Sequence, residues 1–169
     1  MIRYLTIFLI SMVPLIELRG AIPIAIGMGI DPIPAIVICV IGNLLPVPVI
    51  YLFARKFLLW GAKQPYIGKF CNFFVVKGEH AGKKLVAKAG RRGLAVALML
   101  FVAIPLPGTG AWTGTLGASF LNMGPKATAA AVSLGVVIAG VIMAIVSLLG
   151  LHIFGLSLSE VTHGIFFPG

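Results

Sequence analysis

The chain has 169 residues, of which 60% are hydrophobic and only 10% charged, with a mean hydropathy of +1.13. A soluble domain carries about 25% charged residues, so this composition excludes an ordinary soluble enzyme or binding module and predicts an all-α integral membrane protein. A net charge of +9 would suit a nucleic-acid binder, but the basic residues lie between long apolar stretches, so no nucleic-acid partner is expected and the lipid bilayer is.

Residues 2–13 are apolar except for Arg3. The segment that follows, Pro14-Leu-Ile-Glu-Leu-Arg-Gly-Ala-Ile-Pro23, holds Glu17 and Arg19, which with Asp31 are the only formal charges between Tyr4 and Ala54. A charge at membrane depth costs several kcal/mol unless it is paired, hydrated or in use, so Glu17 and Arg19 mark a candidate site. The apolar sequence resumes at Ile24–Ile30 without a polar cleavage region, so the first segment is expected to stay in the fold and not to act as a signal peptide. The prolines predict a helix broken between 14 and 23.

Pro32 to Ala54 is long enough for one crossing of a hydrocarbon core about 30 Å thick, with Gly42, Asn43, Pro46 and Pro48 predicting a kink. Residues 55–92 then carry ten of the thirteen basic residues and, in Glu79, one acid. Short basic stretches of membrane proteins stay cytoplasmic, and the stretch from Val76 to Arg92 suits an interfacial helix with snorkelling lysines. Trp60 and Tyr66 fit the headgroup interface, and His80 is expected to be a surface histidine. Cys39 and Cys71 fall in different environments and are not expected to pair.

Leu94 to Met123 is uncharged but contains Pro105-Leu-Pro107-Gly108-Thr109-Gly110. Two prolines and two glycines cannot continue a helix, so half-helices 94–104 and 111–121 are predicted, each ~16 Å long. Ala127 to Leu151 is an uncharged transmembrane helix whose Gly135, Ala139, Gly140 and Ala144 form a small-residue face, fit for packing within the monomer or for a homodimer contact.

Both ends of the chain thus read as a broken pair of half-helices followed by one long helix. Aligning Gly20-Ala21 with Gly110-Ala111 brings Gly27 onto Gly117, an internal repeat of about 90 residues. Corresponding Gly/Pro-interrupted segments in two halves are a pointer to a transporter's binding site. The chain is expected to be one membrane domain, 1–169, with repeat 1 at 2–56, a basic cytoplasmic linker at 57–92 and repeat 2 at 93–156. If the half-helices form re-entrant hairpins, the basic linker and Lys126 place the repeats inverted, with both termini outside. If each pair crosses fully, the repeats are parallel; Arg3 leans that way.

The pieces 14–23 and 105-Pro-Leu-Pro-Gly-Thr-Gly-Ala-Trp-Thr-Gly-114, with the Gly-rich halves, resemble the small multidrug export proteins, a family distantly similar to the DedA (SNARE-associated, VTT-domain) membrane proteins. The resemblance covers nearly the whole chain. It implies a compact inverted-repeat protein of the prokaryotic cytoplasmic membrane with two re-entrant loops, and movement of undecaprenyl phosphate or another phospholipid between leaflets, coupled to ions. DedA proteins carry charges near both re-entrant regions, whereas residues 105–114 here have none.

The residues point to two roles for the charged pair. Glu17 and Arg19 can face each other across a broken segment as a structural ion pair. Alternatively, the planar donor fork of Arg19 takes an anionic headgroup, Glu17 neutralises it when the site is empty, and a proton on Glu17 is the candidate coupling ion. The second break would add the N–H groups of Gly108, Thr109, Gly110 and Ala111 at a helix start, with Thr109 as N-cap, Thr113 as a further hydroxyl and Trp112 as a cavity wall. Gly20, Pro23, Pro105 and Pro107 complete the expected site. Export of small cationic drugs through Glu17, or a non-transport scaffold, are the other classes. No catalytic signature is present, and no cofactor or metal is expected.

Overall fold

The computed structural model describes residues 2–14, 16–64, 68–106 and 108–153. Tyr66, Pro107 and residues 154–156 of the expected second repeat lie outside them, as do the side chains of Cys71 and Glu79. Among the described residues the helices are, in chain order, α1 (Ile2–Met12), α2 (Glu17–Gly27), α3 (Pro32–Leu44), α4 (Val47–Gly61), α5 (Gly68–Ala103), α6 (Ala111–Phe120) and α7 (Pro125–Ile153). The protein is all-α among the described residues and is built around two helical hairpins, α1–α2 and the end of α5 with α6.

Among the described residues two stretches are long and apolar enough to cross a membrane, Pro32–Ala54 and Pro125–Ile153. Most of their surface points outward: Ile33 is 76% exposed, Phe53 68% and Val49 65%. Water would not tolerate an apolar surface of that extent on a monomer, whereas lipid does, and the chain is a multi-pass membrane protein. The span Pro32–Ala54 is interrupted at Leu45-Pro46, between α3 and α4, as its prolines predict.

The packing exchanges partners between the halves. α1 lies on α3 and α5 lies on α7, while α2 also packs on α7 and α6 on α4. The core of Ile7, Leu18, Ile22, Ile26, Val102, Val132 and Val136 therefore joins side chains from both ends of the chain. Gly135, Ala139, Gly140 and Ala144 are spent inside this monomer: a Cβ at Gly135 would stand 2.7 Å from the Met99 carbonyl, and Gly140 meets Ile22, Ile36 and Val40.

The ends of the short helices match closely. Gly29 has φ 74° and the Ile30 N–H bonds the Ala25 carbonyl at 3.0 Å; 93 positions on, Asn122 has φ 55° and the Met123 N–H bonds the Ala118 carbonyl at 3.0 Å. Both are Schellman-type caps, in which a residue of positive φ turns the chain out of the helix. A proline then opens each long helix, Pro32 and Pro125, at the position where its missing N–H costs nothing. Gly42 and Gly135, also 93 apart, each admit a close backbone: a Cβ would stand 2.7 Å from Phe8 O in one case and 2.7 Å from Met99 O in the other. The register thus differs from the 90-residue alignment of Gly20-Ala21 with Gly110-Ala111. The glycines that suggested it serve different purposes, and the second break, Ile104–Gly110, is longer than the first, Val13–Ile16.

Two further differences concern boundaries. The first break is short, so Arg19, Gly20 and Pro23 belong to α2 and not to a loop. The first half-helix of the second pair does not begin at Leu94; α5 runs from the basic segment through to Ala103, with one non-helical residue, Gly90 (φ 70°, ψ 170°), at the change from basic to apolar sequence. A glycine there lets the backbone take a conformation that other residues rarely adopt.

Candidate functional site

Glu17 opens α2 with φ 49°, an uncommon conformation for a residue with a side chain. It is 5% exposed. Its carboxylate does not turn toward Arg19 but reaches the start of α6, accepting the N–H of Ala111 at 3.3 Å and of Trp112 at 3.0 Å. The first N–H groups of a helix lack intrahelical acceptors, and a carboxylate there also meets the positive end of the helix dipole. Gly110 precedes them in an extended conformation, and a Cβ on it would fall on the Glu17 carboxylate. Glycine at 110 is therefore a requirement of the cap.

Arg19 reaches the other side of the same break. Its Nη1 donates to the Leu106 carbonyl; its Nη2 donates to the Ile104 carbonyl at 2.9 Å, the Thr109 hydroxyl at 2.9 Å and, more distantly, the Val102 carbonyl at 3.4 Å. Val102 lies in the last turn of α5 and Ile104 and Leu106 follow it in the break, at the end of the helix where its dipole favours a cation. The Nε of Arg19 is buried and has no partner. Two residues apart in sequence, the acid thus grips a helix start and the base a helix end, and among the described contacts the two charges do not bond each other. The expected ion pair is replaced by two separate braces, because helix ends of opposite polarity lie closer to each charge than the other charge does.

The remaining expected residues divide. Thr109 takes part, but as an acceptor for Arg19 and a neighbour of the Ile104 and Leu106 carbonyls (2.7 and 2.9 Å); the N-cap is Gly110. Trp112 contributes its backbone N–H, while its indole Nε1 is buried without a partner. The Thr113 side chain bonds only the Gly110 carbonyl at 3.3 Å and is otherwise exposed. Gly108 is exposed, with φ 86°, and is needed for the turn. Pro105 is half-buried within the break. Gly20 packs on Ile16 in α2, and Pro23, lacking an N–H, leaves the Arg19 carbonyl without its usual helical donor.

Sequence reasoning missed the carbonyls of Val102, Ile104 and Leu106 as the seat of Arg19. The signal was present: Pro105 and Pro107 cannot donate, so a helix ending there leaves acceptors exposed. It also missed a row of buried polar groups. Thr115 and Ser119, one and two turns beyond Ala111 on α6, have hydroxyls without partners, as does the fully buried Asn43 amide. At the far end of α6, the Tyr51 hydroxyl donates to the Met123 carbonyl, holding α4 to the α6–α7 turn. Arg3 Nη1 donates to the Met28 carbonyl at 3.0 Å, capping the end of α2.

Residues 17–142 match the family described as small multi-drug export protein. Neither a curated protein nor a solved structure gives a match.

Proposed function

The chain belongs to the small multi-drug export protein family, a group of transport-related membrane proteins, and on that premise we propose that it moves an anionic lipid-linked phosphate, a polyprenyl phosphate or a phospholipid, across the prokaryotic cytoplasmic membrane. The observation that carries this reading is the Glu17 carboxylate seated on the N–H groups of Ala111 and Trp112 beside a guanidinium that keeps one donor, Nε, unused. Helix N-termini take phosphate as readily as carboxylate. Glu17 is then the resident anion of an anion seat, and an arriving phosphate competes with it there.

In this mechanism Arg19 holds the end of α5 and presents Nε to the incoming phosphate. The substrate's oxygens take the α6 N–H groups, and Glu17, released, accepts a proton that neutralises it. When the phosphate leaves, Glu17 gives up the proton and returns to its seat. A row of unpartnered hydroxyls at Thr115 and Ser119 offers polar contacts along α6 from the break toward its other end. Inverted repeats, with hairpins entering from opposite faces, would make the site reachable from each leaflet in turn.

The family description favours a second reading, export of small cationic drugs. That reading needs the Glu17 carboxylate free, whereas two N–H donors occupy it and Arg19 is close by. A scaffold without transport would use both braces and leave the unpartnered Nε unexplained. The test is binding by the purified protein in vesicles. A polyprenyl or phospholipid phosphate should bind and lose its affinity on Arg19→Ala; a cationic dye lost on Glu17→Gln, with no response to phosphate lipids, would favour drug export.

A further inference from the structure

A cavity lies away from the two breaks, where the basic part of α5 crosses the turn between α6 and α7. It encloses about 700 Å³, within the range of small-ligand sites. Three cations from separate places on two helices line it: Lys83 and Arg91 from α5, on either side of the Gly90 interruption, and Lys126 from the first turn of α7. Among the described residues none of the three has a hydrogen-bond or ion-pair partner, and no acid is among the described residues that line the cavity. The lining also includes the apolar Val86, Leu94 and Leu121.

At the cavity the α5 backbone comes close to the end of α6: a Cβ at Gly82 would collide with the Leu121 carbonyl. A cation that serves such a helix end bonds it directly, as Arg3 does with the Met28 carbonyl at the matching end of α2. Among the described residues the three cations around the α6 end have no such bond. The cavity also sits where the apolar span Pro125–Ile153 begins, the depth at which a bilayer keeps its phosphates.

We propose that this cavity binds the phosphate headgroup of an anionic membrane phospholipid, the phosphate among Lys83, Arg91 and Lys126 and the upper acyl chain against Leu94 and Leu121. A free anion would use the cations but gain nothing from the apolar residues; a zwitterionic lipid would use these residues but place its own cation among three others. The bound lipid bridges α5 to α7 and fixes the basic segment against the membrane face. This site does not depend on the reading of the two breaks.

The full chain in mild detergent, titrated with phosphatidylglycerol, phosphatidylcholine or inorganic phosphate, tests it, with bound lipid read by native mass spectrometry and stability by thermal melting. One phosphatidylglycerol is expected to saturate, at least tenfold more tightly than phosphatidylcholine, with no melting shift from equimolar inorganic phosphate. K83Q/R91Q/K126Q should weaken phosphatidylglycerol at least tenfold, and each single variant about threefold, so the result stands even where the triple variant folds poorly. K84Q/K88Q/R92Q removes the same charge from positions outside the cavity and should bind within about twofold of the parent chain. Equal losses in the two triple variants, equal binding of phosphatidylcholine, or an equal response to inorganic phosphate would overturn the proposal.

Discussion

The carboxylate of Glu17 accepts the backbone N–H of Trp112 at 3.0 Å, so the first residue of α2 caps the first turn of a helix 95 positions further on. Arg19, two residues on in the same turn, closes the other side of the same break through the Ile104 and Leu106 carbonyls. The two halves of the molecule are tied at the point where each is locally weakest.

The ties make a prediction about coupling. Two partners of one buried ion pair rescue each other when both are replaced by apolar groups. Here each charge serves its own helix end, so Glu17→Gln and Arg19→Leu should each destabilise, the arginine variant by roughly 1–3 kcal/mol because the Ile104 and Leu106 carbonyls lose their charged donor. The double variant should be less stable than either single one. Melting of the three proteins in one detergent decides it, and recovery in the double variant would restore the simple ion pair.

The cap predicts a hierarchy among glycines. Gly110→Ala places a methyl group on the Glu17 carboxylate and should cost more than Gly108→Ala, which meets open space and strains only a φ of 86°, about 1–2 kcal/mol. Gly117→Ala, in a helix with nothing within 4 Å, should be neutral or stabilising. Thermal melting of the three variants should fall in that order.

Tyr51 offers a smaller test. Its hydroxyl is the described bond between α4 and the Met123 carbonyl, and Tyr51→Phe removes the donor while keeping the ring. A loss of about 1 kcal/mol is expected, read as a lowered melting temperature. An unchanged melting temperature would mean that the Met123 carbonyl finds another donor.

How much of this was legible in the chain follows from what each residue's physics depends on. The existence of two breaks and of the long spans beginning near 32 and 125 rests on proline, glycine and long uncharged runs, which act locally and can be read along the sequence, although the first break, read as 14–23, is shorter because Pro23 lies inside α2. The partners of Glu17 and Arg19 could not be read that way. Each bonds backbone groups roughly 90 residues distant, and a backbone N–H or carbonyl has no letter of its own. The same reason hid the 93-residue register: Gly29 and Asn122 are different residues in one cap, whereas the Gly-Ala pairs that looked alike do different things.

The sense of the repeat is open to a labelling test. Asp31 and Gly124 follow matching caps, 93 positions apart, and both are exposed. D31C and G124C, each in a background without Cys39 and Cys71, should react from opposite sides of the membrane if the hairpins are inverted, with Asp31 outside. Reaction of both from one side would establish parallel repeats and remove alternating access of the kind proposed.

The most direct measurement is phosphate-lipid translocation by the purified protein in vesicles, compared among the parent chain, Arg19→Lys and Glu17→Gln. A lysine ammonium cannot reproduce a planar fork that meets two carbonyls and a hydroxyl while presenting Nε, so Arg19→Lys should fold less well and lose most transport. Glu17→Gln removes the resident charge from the α6 N-terminus; it should bind the phosphate lipid at least as tightly as the parent and lose the pH dependence of its movement. Transport by Glu17→Gln with the parent's pH dependence, or full activity in Arg19→Lys, would contradict the account.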